Sequence, residues 1–228
     1  KFNGFYVDLG CYHPIQHNNT MLLYQRGWRG INVDINEFSI KLFNFCRPDD
    51  LNLNLAVSDK NGEIDYYYQK KLSLLNTINK SKADLAFQGS IKRKKITSQT
   101  LTKILDNSKY KDKQIDFLKI DVEGGDLDTL KSFNFSRYSP KLICIEILPS
   151  DMKIFDAVAL AADAANKTVP AVTRVTMSLK QRKKIVPELE FVMENLNNDI
   201  EKSDIYNLLK IKNYQKIWSG IANHIFVR

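Results

Sequence analysis

The chain has 228 residues, 43% hydrophobic and 26% charged, with a net charge of +8. That length and balance fit one α/β domain with a sizeable core, spanning 1–228, and exclude wholesale disorder. No stretch reaches the roughly 18 apolar residues of a membrane span and no signal-peptide pattern opens the chain, so a cytoplasmic protein is expected.

In chain order, Phe5 to Leu9 reads as a buried strand. Asn18 or Asn19 then caps a helix over Thr20–Arg26 that stops at Gly27, a natural left-handed residue. Ile31 to Asp34 is a second strand, followed by a helix capped by Asn36 with Phe38, Leu42 and Phe45 on one face. Leu51, Leu53, Leu55 and Val57 alternate with polar residues as in a half-buried strand, and Asp59-Lys60-Asn61-Gly62 reads as a hairpin turn into Glu63–Tyr68. Residues 69–95 are polar, basic and weakly periodic, a loop with one short helix at most. The rhythm resumes with a helix near Leu101–Leu105, a strand Ile115–Val122, a helix carrying Leu127, Leu130 and Phe133, and a strand Leu142–Ile147. Strands separated by helices of this length imply right-handed crossovers and a mostly parallel, doubly wound α/β sheet. After Pro149 an alanine-rich stretch and the helical spacing of Leu189, Val192, Met193, Leu196 and Ile200 suggest a helical insertion or lid over 150–203. A helix Ile205–Ile211, a strand near Tyr214–Trp218 and a last strand Ala222–Val227 suit an antiparallel hairpin at the sheet edge.

Cys11, Cys46 and Cys144 show no paired spacing and read as reduced thiols, not a disulfide frame or zinc site. Positive charge gathers in Lys92-Arg93-Lys94-Lys95 and Lys180-Gln181-Arg182-Lys183-Lys184. Such runs are ordinarily solvated faces, and otherwise attract phosphate-bearing ligands, nucleic acid or anionic membranes.

Ligands of open α/β sheets bind outside the carboxyl ends of the strands. Here that rule selects Asp8, Gly10, Cys11, Tyr12 and His13 after the first strand, Asp34, Ile35 and Asn36 after the second, Val57 and Ser58 after the third, Asp121 and Glu123 after the fourth, and Glu146 after the fifth. A mouth of carboxylates around one glycine disfavours a pyrophosphate, which wants close backbone approach and positive potential. It suits S-adenosylmethionine instead: Gly10 for a small carboxylate, Asp34 for a ribose diol, and negative charge for a sulfonium. No G-x-G-x-x-G turn supports a nucleotide-sugar oxidoreductase, and no closed metal-ligand set is evident.

The stretches "FYVDLGCYHPIQHNNTMLLYQRGWRGINVDIN", "LAVSDKNGEIDYYY" and "IDFLKIDVEGGDLDTLKSF" together resemble the FkbM-type methyltransferases, a branch of the S-adenosylmethionine-dependent class I fold. The similarity covers about 4–148 and returns at "NYQKIWSGIANHIFVR". It implies methyl transfer to a hydroxyl, commonly of a sugar or polyketide-type product. By the same resemblance Asp8, Gly10 and Cys11 to His13 hold the methionine end, supported by Asn19 and Thr20. Asp34 binds the ribose, in place of the glutamate of many relatives, Val57 and Ser58 flank the adenine, and Asp121 with Glu123 faces the methyl group or the acceptor. A hydroxyl is a poor nucleophile until its proton is taken. Asp121 is the expected base, with Glu123, Glu146, His13 and His224 as competitors, and Glu146 and His224 are also candidate substrate contacts. The partner expected is a small-molecule or nucleotide-linked sugar, for a bacterial surface polysaccharide, with homodimer formation open. A nucleic-acid methyltransferase and a non-catalytic binding module stay as alternatives, although the basic runs lack interleaved aromatics.

Overall fold

The computed structural model describes residues 3–70, 73, 75–87, 89–147, 200–219 and 223–228. The expected insertion at 150–203 and the basic run at 180–184 lie, but for residues 200–203, outside the described residues.

Seven strands form the central sheet: β1 (Phe5–Leu9), β2 (Arg29–Asp34), β3 (Leu51–Asn54), β7 (Phe117–Ile120), β8 (Leu142–Glu146), β9 (Gln215–Ser219) and β10 (Asn223–Val227). Their order is β3-β2-β1-β7-β8-β10-β9, parallel from β3 to β8, with β10 and β9 added antiparallel. The intervening helices are α1 (Met21–Gln25), α2 (Glu37–Cys46), α3 (Lys80–Ala86), α4 (Leu101–Asp106) and α5 (Asp126–Lys131), and α6 (Asp204–Ile211) precedes β9. Phe5, Val7 and Leu9 of β1 enter the main core with Ile31, Val33, Leu118, Ile120, Ile143 and Ile145. Burying each such side chain contributes about 1.5–3 kcal/mol. Tyr6 and Asp8 alternate onto the other face, since successive strand side chains point to opposite sides.

Three expectations need correction. Strand 51–57 does not run on into a hairpin: β3 joins β2, while β4 (Ala56–Val57) leaves for a separate sheet of order β4-β6-β5. There β5 (Gly62–Tyr68) pairs along its whole length with β6 (Lys92–Gln99), from Gly62 opposite Ser98 to Tyr68 opposite Lys92. Seven paired residues outweigh the two that β4 offers. The basic run 92–95 is therefore half a strand, its charge held locally by Asp65 beside Arg93 and Lys95 and by Tyr66 and Tyr68 beneath Lys94.

Helix α2 turns a different face inward. Asn36 caps it as expected, accepting from the Phe38 and Ser39 amides at 2.9 and 3.4 Å. Ser39, Ile40 and Phe43 are buried, however, and Phe38 and Phe45 are 43% and 86% exposed. The Ser39 hydroxyl donates to the Tyr12 carbonyl, and Arg47 lies across the Phe43 ring, which together set the helix's rotation.

In α1, Thr20 occupies the cap position without capping, because its hydroxyl donates to Asp8 at 2.7 Å instead.

Candidate active site

Beyond the carboxyl ends of β1, β2 and β7 lies an open hollow. Gly10 and Tyr12 form one rim, Asp34, Ile35 and Asn36 a second, Val57 a third, and Asp121 with Glu123 a fourth. Eight of the expected site residues thus share one space.

Gly10 has φ +69, and a Cβ there would collide with the Asp121 carbonyl. The crossing of β1 into its loop against the end of β7 therefore requires glycine. Its amide and that of Cys11 donate to the Val33 carbonyl, which ties the loop to β2. Tyr12, His17 and Glu123, all lining the hollow, also hold positive φ, a strain of roughly 1–2 kcal/mol each that the surroundings must offset. Asp34 anchors Tyr12: one carboxylate oxygen accepts its amide at 2.8 Å and the other accepts the Asn36 amide at 2.7 Å. Burial pushes the Asp34 carboxyl up to about 6, against the lowering effect of those two amides and of Lys119. Each carboxylate oxygen keeps a lone pair beyond these two bonds.

Other expected residues stand behind the wall. Asp8 is buried at 1% exposure and accepts from Thr20 Oγ1 and, at 3.2 Å, from Asn18 Nδ2. Cys11 packs with Ile40 and Phe43, its thiol pushed up by burial and then by the charges of Asp34 and Asp8. Ser58 bonds Ser98 at 2.7 Å. His13 turns inward on its own loop, its Nδ1 accepting from the Ile15 and Gln16 amides at 3.1 Å. Asn19 is exposed, and Asn18 makes the bonds: it donates to the Cys11 carbonyl and accepts from the Thr20 amide. His224 is fully buried between Ser219 Oγ and the Ile147 carbonyl, with burial lowering its pKa. Asp8, Cys11, His13, Asn19, Thr20, Ser58 and His224 all lie outside the hollow's lining.

Two residues outside the expected set hold the site together. Lys119 lines the hollow from β7, 3.3 Å from Asp121, 3.8 Å from Asp8, and donating to the Gly10 carbonyl at 2.7 Å. Burial alone lowers its pKa, but Asp121 and Asp8 outweigh that and hold the ammonium charged. Arg47, 1% exposed, donates to Thr20 Oγ1, Asn18 Oδ1 and the Pro14 carbonyl, strapping the 10–20 loop from behind. Lys119 stands inside a motif legible in the sequence; Arg47 carries no local signal.

Further carboxylates gather around Asp121: Glu123 lines the hollow, whereas Glu146, expected at the site, does not. Burial and the Asp121 charge push Glu123 up to about 7, opposed by Lys82 at 3.9 Å. Glu146, at the end of β8, is raised by burial and then by Asp121 and Glu123. A group that exchanges a proton near neutral pH suits acid and base work.

A mostly parallel α/β sheet closed by antiparallel strands, with an acidic rim built on a single glycine, is consistent with a methyltransferase-like fold. The methyltransferase FkbM domain model matches residues 8–200, most of the chain, and the protein belongs to that family. No curated protein matches it. The family supports methyl transfer in general and implies a methyl donor.

Proposed function

We propose that the protein is an S-adenosylmethionine-dependent O-methyltransferase acting on a hydroxyl of a sugar or glycan precursor, within a doubly wound sheet. The observation that carries this reading is the convergence of Gly10, Asp34 and Asp121 on one hollow. These residues fit the donor: the Gly10 loop accommodates an amino-acid head, the Asp34 carboxylate a ribose diol, and the apolar Ile35 and Val57 a flat base. When bound, the donor supplies an electrophilic methyl group on a sulfonium. The chain's part is to hold an acceptor hydroxyl in line and take its proton.

Asp121 is the proposed base. Lys119 at 3.3 Å holds it in place, and Glu123 and Glu146 are set to receive the proton onward. Asp8, with Thr20 and Asn18, supports the methionine end through Lys119 and the 10–20 loop, without touching the ligand. The sugar preference rests on the family resemblance and on the cationic face of β6 near the hollow's Ile35 side, where Lys41 and, more weakly, Lys94 lower the pKa of Glu37.

Incubating the protein with labelled S-adenosylmethionine and a panel of nucleotide sugars and oligosaccharides, read by product mass, tests reaction and acceptor together. A mass gain on a sugar hydroxyl is expected. Labelling of RNA or DNA alone would move the assignment to nucleic acid.

A further inference from the structure

The weakly periodic stretch after β5 folds back onto the site and meets it at Glu123 twice. Thr77 exchanges backbone hydrogen bonds with Tyr67 at 2.8 and 3.1 Å, and its hydroxyl donates to the Glu123 carbonyl at 2.9 Å. The same hydroxyl accepts from the Asn79 amide at 3.0 Å, and Asn79 Oδ1 caps α3 by accepting from the Lys82 amide at 3.1 Å. Lys82 closes the circuit. Its stem lies over Gly124, where a Cβ would stand 2.8 Å from Lys82 Cε, and its Nζ is 3.9 Å from Glu123 Oε2. That separation is a contact between charges and not a hydrogen bond. Glycine at 124, with φ +96, leaves the room that the lysine occupies. On the same helix Lys80, paired with Asp84, has a side chain 69% exposed, against 32% for Lys82.

We infer that Lys82 is a positioning residue, which holds the Glu123 carboxylate ionised at the rim so that it can take the proton that Asp121 removes from the acceptor. The inference rests on the proposed function, in which Asp121 is the base. The proton leaves the acceptor hydroxyl for an Asp121 oxygen and passes to a Glu123 oxygen; no bond to Lys82 forms or breaks. The other charged groups around Glu123 are Asp121 and Lys119 from β7 and its end, Asp126 from α5 and Glu146 from the end of β8. Three of these four are acidic and oppose a charge on Glu123. Lys119 is engaged by Asp121, Asp8 and the Gly10 carbonyl. Among the described residues, Lys82 is thus the cation directed at Glu123, and an opposite charge at this distance favours the ionised carboxylate.

Carbon-13 NMR titration of the glutamate carboxyls in the full chain, with Glu123→Gln to assign the signal, reads the Glu123 midpoint directly. Lys82→Met keeps the stem on Gly124 and removes the charge. It is expected to raise the midpoint by about one pH unit, and to raise by a similar amount the acid limb of the pH–rate profile measured with labelled S-adenosylmethionine and the nucleotide-sugar panel. Lys82→Arg should restore both. Lys80→Met, which removes a charge from the same helix, should change neither. An unmoved midpoint in Lys82→Met overturns the inference and leaves the proposed function standing. A moved midpoint with an unmoved acid limb also overturns it, because Lys82 would then serve the fold alone. Methyl transfer by wild type to none of the acceptors overturns the proposed function and the inference with it.

Discussion

Two rows of side chains cross the central sheet one residue apart. In one, Leu51, Ile31, Val7, Leu118, Ile143 and Phe226 stand in register and all are apolar. In the next, Asn52, Asn32, Asp8, Lys119 and Cys144 stand in the same register on the opposite face. The apolar row is held by area and dispersion, which tolerate exchange among similar shapes. The polar row is held bond by bond: Asn32 donates to Asp50 and Asn52 at 3.0 and 2.8 Å, Asp8 accepts from Thr20, and Lys119 reaches Asp121. Only the polar row continues into the hollow. One face of the sheet therefore carries stability, while the other carries position.

Substitutions in the two rows should separate those roles. Leu118→Ala leaves a cavity beneath β7 and is expected to lose about 2–5 kcal/mol in urea unfolding, with affinity for S-adenosylhomocysteine unchanged in the protein that remains folded. Arg47→Met strips donors from Pro14, Asn18 and Thr20 behind the polar row; it should cost roughly 3 kcal/mol and, unlike Leu118→Ala, weaken that affinity as well. An Arg47 variant with full affinity would erase the distinction between the faces. Asp121→Asn stands at the row's end, where turnover should fall at least about 100-fold while calorimetric affinity is retained. Unchanged turnover would remove Asp121 as the base.

The smallest effect is a pH slope. Glu123 titrates near 7 when folded against an ordinary 4.5, so between those values the folded chain holds a proton that the unfolded chain has lost. Stability then falls as pH rises through this window. With a side chain 30% exposed its share of the slope is partly screened, about 1 kcal/mol, and Glu123→Gln should reduce the slope by that amount in melting curves recorded from pH 4.5 to 8, the raised Asp34 and Glu146 carboxyls keeping the rest.

Short-range chemistry was the legible part. Apolar runs marked β1, β2, β7 and β8 to within a few residues, Asn36 marked the start of α2, and Gly27 marked the end of α1 with the expected positive φ. The glycine and carboxylates at the strand ends could be named from spacing alone. What stayed hidden depends on partners far along the chain. The inward face of α2 follows from Ser39 meeting Tyr12, β5 found β6 in place of its sequence neighbour, and Arg47 acts on a loop some thirty residues before it.

The sequence by itself determined the alternation of apolar and polar residues along each strand, and so guaranteed that one face would be dry. Register alone decided that Asn32, Asp8 and Lys119 would fall side by side, because a slip of one residue in any strand exchanges its two faces. Burial completed the outcome: only in a closed interior must each of those polar groups find a partner, and that requirement shapes the wall of the hollow.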